Sequence, residues 1–217
     1  MPNFKSIVEN MQYRIGCTGQ TVYVYDKNGA ELGKFKDLIY AYTAAISPLG
    51  NIFVVKSQEG RLAVYSLETM SLLKKIRFSK VNYSQNDGCC FSPDGKYFLN
   101  VERQGDDLHS AISVYAVSDF SLVSRIFLGE SMMIEHIQEL DGEYYVLGFL
   151  RGDDGVITSP FVAKYKNGAI CDVKRITNAE SEFYWEHIYR TMFGWWQNDN
   201  KKPCIVHTLG KLWSFQG

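Results

Sequence analysis

No run of apolar residues in this sequence approaches the roughly 18 that a membrane-crossing helix needs. The opening Met1-Pro2-Asn3-Phe4-Lys5 has no apolar core of signal-peptide length, so a reducing cytoplasmic setting is the expectation, with no membrane partner. Cysteine is sparse and poorly spaced. Cys17, Cys89, Cys90, Cys171 and Cys204 are odd in number and include no C-x-x-C, which excludes a disulfide framework and a zinc ribbon. Charge of one sign is also missing. With 23 basic against 24 acidic side chains and a net charge of −1, there is neither the surplus nor the stripe that a phosphate-backbone binder shows, so nucleic acid is not an expected partner. The sequence lacks a G-x-S-x-G elbow, a G-x-G-x-x-G turn and a Walker loop, leaving nucleophilic catalysis and nucleotide cradling without a motif. No cofactor is implied.

Proline is scarce, at 5 residues, whereas glycine reaches 18 and aromatic residues make up 14% of the 217 positions. Aromatic side chains suit a pleated, half-buried surface, and glycine suits the tight turns that join short strands. The composition therefore leans toward an all-β fold.

A repeat confirms that direction. Short apolar strands ending in an aromatic occur as Val22-Tyr23-Val24-Tyr25, Leu62-Ala63-Val64-Tyr65, Ile112-Ser113-Val114-Tyr115, Val162-Ala163-Lys164-Tyr165 and Leu212-Trp213-Ser214-Phe215. The final aromatics stand at 25, 65, 115, 165 and 215, in steps of 40, 50, 50 and 50. A second strand follows each turn, as in Leu73–Ile76, Val123–Ile126 and Val173–Ile176, again 50 residues apart. Two of these turns contain Asn-Gly, at 28–29 and 167–168, where both residues tolerate positive φ. Two further strands precede each aromatic one, among them Ile52–Val55 and Tyr97–Asn100, then Ala44–Ser47 and Cys89–Phe91. Four short strands per unit at this period is the pattern of a β-propeller.

The string Phe91-Ser92-Pro93-Asp94-Gly95-Lys96-Tyr97 resembles the first hairpin of blades in WD-repeat and related bacterial propellers. The Trp-Asp dipeptide and upstream Gly-His of true WD repeats are absent, so the resemblance is to a divergent propeller relative. The expected fold is a five-bladed β-propeller of four-stranded antiparallel blades, at about 3–37, 38–80, 86–129, 131–177 and 182–217. The last blade ends two residues after its aromatic strand and would lack its outer strand. Its open edge motivates a homodimer or strand addition there, against the alternative of a short protected edge.

Three groups of residues are candidate sites. Glu135-His136-Ile137 and Glu186-His187-Ile188 repeat one tripeptide on expected inner strands, so His136 and His187 could converge on the channel with Glu135 and Glu186. Imidazole and carboxylate together suit a metal or a general base. The plainer reading is repeat duplication, with each histidine satisfied at a blade interface. Strict alternation would place Ile134, His136 and Gln138 on one face and Glu135 and Ile137 on the other. Asp106, Asp107, Asp153 and Asp154 sit in Gly-Asp-Asp loops that, by the WD-repeat resemblance, join the partner-binding face. They could attract a basic partner, but supply too few oxygens for Ca²⁺, and solvated turns are the alternative. The segment 183–196 holds Trp185, Trp195 and Trp196, either a stacking platform for a sugar or partner, or packing for the incomplete blade. The reading that accounts for most of these features is a binding scaffold presenting loops to a protein or peptide, in preference to an enzyme. Small-molecule or carbohydrate binding, in the channel or on the tryptophan segment, is the alternative.

Overall fold

The computed structural model describes residues 2, 4–80, 88–104, 109–129, 131–152 and 157–175. They form four antiparallel sheets of four strands, each a simple meander. The first contains β1 (Ser6–Glu9), β2 (Tyr13–Cys17), β3 (Val22–Asp26) and β4 (Glu31–Phe35). The second contains β5 (Ala41–Ile46), β6 (Ile52–Ser57), β7 (Arg61–Ser66) and β8 (Ser71–Arg77). The third contains β9 (Cys89–Phe91), β10 (Tyr97–Gln104), β11 (His109–Ala116) and β12 (Ser121–Phe127). The fourth contains β13 (Met132–Leu140), β14 (Glu143–Arg151), β15 (Ile157–Lys166) and β16 (Ala169–Arg175). The first strands lie side by side, β1 against β5, β5 against β9 and β9 against β13, so the sheets are blades about a common axis. This is a β-propeller arrangement. The fifth blade expected at 182–217, its missing outer strand and its dimerising edge lie outside the described residues.

Sequence pattern explains why blades stack face to face. β6 reads Ile-Phe-Val-Val-Lys-Ser and is buried along its whole length, as a strand covered on both faces must be. Phe53 and Val55 join Ile15, Val24 and Tyr65 in the core between blades one and two. Ile52 and Val54 point the other way, to Phe91, Phe98 and Tyr115 between blades two and three. A third core joins Leu99, Val101 and Ile112 to Ile137, Val146 and Phe161 across blades three and four. Each large side chain so buried contributes about 1.5–3 kcal/mol.

The recurrent tyrosine stands one residue before the end of the third strand in every described blade. Tyr65 stacks on Phe53 at 4.7 Å, and its hydroxyl donates to Asp37. Tyr115 donates to Glu102 at 2.8 Å. The pairing with the outer strand slips by one position beside that tyrosine in blades one to three, and at Ala163, two residues before Tyr165, in blade four. Leu32, Leu73 and Val123 are the extra residues of the resulting bulges. In blade four Asp172 and Val173 together oppose Ala163.

Turns lock neighbouring blades. Ser47-Pro48-Leu49-Gly50 and Ser92-Pro93-Asp94-Gly95 each close with the glycine N–H donating to the serine carbonyl at 2.9 Å, and both glycines have positive φ. A Cβ at Gly95 would fall 2.8 Å from Leu49 Cγ, and one at Gly50 would fall 3.2 Å from Gln12 Oε1. The first turns of three successive blades are therefore in contact at one end of the axis. Asn167-Gly168 adopts positive φ at both residues, as a two-residue hairpin requires. At Asn28-Gly29 only the glycine does so. There a longer loop forms, because the Asp26 carboxylate accepts from the N–H groups of Asn28 and Ala30, both at 2.8 Å.

Candidate functional site

The inner strand of blade four departs from regular alternation where the candidate residues stand. Ile134 pairs with Gly148 and His136 with Leu147, so Glu135 is the extra residue of a bulge. The bulge overturns the alternation expected there: Ile134 and Ile137 enter the same core instead of opposite faces. The cause lies across the ladder, where Gly148 has no side chain and Met133 O and Ile134 Cα crowd the place a Cβ would occupy.

Glu135 is thereby turned into the seam between blades three and four. Its carboxylate lies 2.8 Å from Arg103 Nη2, with both side chains almost wholly buried. Arg103 Nη1 also donates to Ser110 Oγ, which accepts from Ile134 N at 2.9 Å. The main chain adds a second tie, with Gly88 N donating to Glu135 O at 3.0 Å and Val101 N to Gly88 O at 3.1 Å. The bulge residue is bound to blade three through both backbone and side chain.

His136 is half-buried against the same seam, its imidazole covering Gly88 so closely that a Cβ there would collide with it. Burial, and then the nearby Lys56 ammonium, push its pKa down to about 4, so the ring is neutral near pH 7. Lys56 is itself fully buried on β6, donating to Val101 O and lying 5.4 Å over the Phe78 ring.

A second buried ionic cluster faces the opposite seam. Glu102 accepts from Tyr115 Oη and Gln104 Nε2, both at 2.8 Å, from Asn100 Nδ2 at 3.1 Å and from Arg125 Nε at 3.0 Å. Gln104 and Arg125 also donate to Phe78 O, which ties blade three to the residue that follows the last strand of blade two. Four residues donating to one carboxylate leave it saturated with partners. Adjacent residues of β10 thus serve opposite seams, Glu102 toward blade two and Arg103 toward blade four.

Lys56, Glu102, Arg103 and Arg125 were not singled out by the sequence reading. The signal was present as charges set inside apolar strands, Val54-Val55-Lys56 and Asn100-Val101-Glu102-Arg103, where an unpaired charge would be costly. His109 is the first residue of β11. The thiols of Cys17 and Cys89 are buried, and desolvation raises their pKa values to about 12 and about 11, far from a reactive thiolate. Among the described residues no group of three or more His, Cys, Asp or Glu is placed to hold a metal ion, and no helix is long and apolar enough to cross a membrane. Glu186, His187, Trp185, Trp195, Trp196, Asp106, Asp107, Asp153 and Asp154 lie outside the described residues, so the convergence of the two histidines is not among the contacts seen.

Comparison with solved structures agrees with this architecture. The chain is similar to hydrazine synthase of Kuenenia stuttgartiensis, with a TM-score of 0.64 and 17% identity over 81% of this chain and 50% of that one. U3-55K matches with a TM-score of 0.58 and 12% identity, over 79% of this chain and 51% of its own. The WD40 domain of Toxoplasma gondii coronin matches with a TM-score of 0.56 and 15% identity, over 76% and 43%. The fold is a WD40-like β-propeller. At these identities the likeness is one of fold, and the chain spans about half the length of the structures it matches or somewhat less. No family model and no curated protein matches the sequence.

Proposed function

We propose that this chain is a binding scaffold that presents one end of its propeller to a protein or peptide partner. The observation that carries this is the row of first turns described above. Those turns display Met11, Leu49 and Tyr97 at 92%, 65% and 44% exposure, on three neighbouring blades that touch through Gln12 and Gly50, then Leu49 and Gly95. Apolar side chains gathered on adjoining loops are what a partner surface needs, and solvent alone gives no reason for them. The seams between blades support the same reading, since Glu135, Arg103 and Glu102 act there as architecture. Propellers host both scaffolds and enzymes, and hydrazine synthase is one of the similar structures, so the reading rests on this surface and not on the fold.

The test is affinity enrichment with the immobilised full chain, followed by measurement of binding to the purified captured protein. The double variant Met11→Lys/Leu49→Lys should weaken that binding by roughly tenfold with an unchanged melting temperature. Equal binding by wild type and variant would overturn the assignment of this end. A small metabolite that the protein binds and converts would overturn the scaffold reading itself.

A further inference from the structure

The outer strands carry a feature that the first turns do not explain. At the repeated bulge each of the four described blades turns one apolar residue to the exterior: Leu32, Leu73, Val123 and Val173, exposed by 41%, 56%, 56% and 40%. The last three stand 50 residues apart, in the same place in their blades. A bulge twists an edge strand and so discourages another strand from pairing with it, but a polar residue would serve that purpose equally well. The apolar choice at every blade needs a second reason.

Charge supplies it. The four outer strands hold seven cationic side chains against two acidic ones, Glu31 and Asp172, in a chain whose net charge is −1. Arg125 turns inward to Glu102, but Lys34, Lys74, Lys75, Arg77 and Arg175 are exposed beside the apolar residues, Lys75 with Asp37 at 3.4 Å. The surface is continuous from blade to blade. A Cβ at Gly33 would lie 3.4 Å from Met70 Sδ, Lys74 donates to Asp119 O, and a Cβ at Gly168 would meet Ile126 at 3.0 Å.

We infer that this circumference is a docking band for an acidic protein segment with apolar residues at intervals, seated on the bulge side chains with its carboxylates on the flanking lysines and arginines. Because the bulges obstruct strand addition, the segment lies across the outer strands and binds through side chains. A second copy of this chain is disfavoured by like charge between the two bands. An anionic bilayer is disfavoured by shape, since residues on successive blades point in diverging directions around the axis and a plane reaches only one or two of them. The inference deepens the scaffold reading, and rests on it, by naming a second surface and the chemistry of what it takes.

The test uses the full chain and a fluorescein-labelled 18-residue peptide with glutamate and leucine at amphipathic helical spacing. A scrambled peptide of the same composition and vesicles containing phosphatidylserine serve as comparisons. Fluorescence anisotropy should show saturable binding of the patterned peptide, weakened roughly tenfold or more by Leu73→Glu/Val123→Glu. Lys74→Gln/Lys75→Gln should weaken it by roughly threefold at low salt, with the difference shrinking at high salt. Leu73 and Val123 are exposed, so their variant should melt as wild type does, and the lysine variant, which gives up only the exposed Lys74–Asp119 and Lys75–Asp37 contacts, should melt close to it. Equal binding of the scrambled peptide, no loss in the Leu73/Val123 variant, or vesicle binding with the same residue dependence would overturn the inference. If Met11→Lys/Leu49→Lys abolishes peptide binding while the outer-strand variants do not, the band fails and the scaffold reading stands.

Discussion

His136 shows how a half-buried titratable side chain can act as a stability element. Its pKa of about 4 in the fold lies below the ordinary 6.5, so the unfolded chain binds the extra proton first as pH falls. Its contribution is therefore neutral above about pH 6.5 and becomes destabilising as pH drops from there toward 4. Partial exposure of the ring trims the effect to about 1–2 kcal/mol at pH 5 relative to pH 7.5. The variant His136→Gln should lose that part of the acid sensitivity. Thermal melts of both proteins from pH 7.5 to 5 check this, and parallel curves would show that His136 does not titrate as its surroundings demand.

At the scale of strands and turns, Gly88 is where β9 is joined to the bulge of β13. Substituting Gly88→Ala places a methyl group on the imidazole and should cost about 1–3 kcal/mol by overpacking. In Gly88→Ala/His136→Ala the space reopens, so the double variant should be more stable than the sum of the two single effects implies. Strict additivity in denaturant unfolding would mean that the two residues are not in contact. The same junction shows what could be read from the residues alone and what could not. The third strands were legible because Tyr25, Tyr65, Tyr115 and Tyr165 recur where a strand must end against its neighbour. The Asn167-Gly168 hairpin was legible because its φ requirement is local. Asn28-Gly29 also marks a hairpin, β3 to β4, but its loop is longer because Asp26, two residues away, captures it with its carboxylate. The bulge at Glu135 was hidden because its cause, Gly148, lies on the next strand. The pairing of Glu135 with Arg103 was hidden for a similar reason: the partners are 32 residues apart, in different blades. Local chemistry shows in a sequence, whereas partners brought together by blade stacking show only as charges in apolar strands.

At the scale of the molecule, the described blades are coupled through nearest neighbours. Each described inner strand lies beside the next in chain order, and each core joins two consecutive blades. Stability should then propagate as in a repeat array, where a weakened interface is felt first by the two units that share it. The seams differ in kind. Blades one and two meet through an apolar core with the Tyr65–Asp37 hydrogen bond at its margin, while blades three and four also depend on the buried Arg103–Glu135 pair. Removing one partner of such a pair leaves the other charged and desolvated, at a cost of about 3–5 kcal/mol. Glu135→Ala should therefore speed amide exchange in β10, β11, β13 and β14 by much more than in β2 and β3. Arg103→Met/Glu135→Leu, which removes both charges and fills the space, should restore much of the protection. Hydrogen exchange read by mass spectrometry over peptides from each blade decides the matter. Uniform loss of protection in Glu135→Ala would mean that the propeller opens as one cooperative unit and that the neighbour-by-neighbour coupling argued from its seams does not hold.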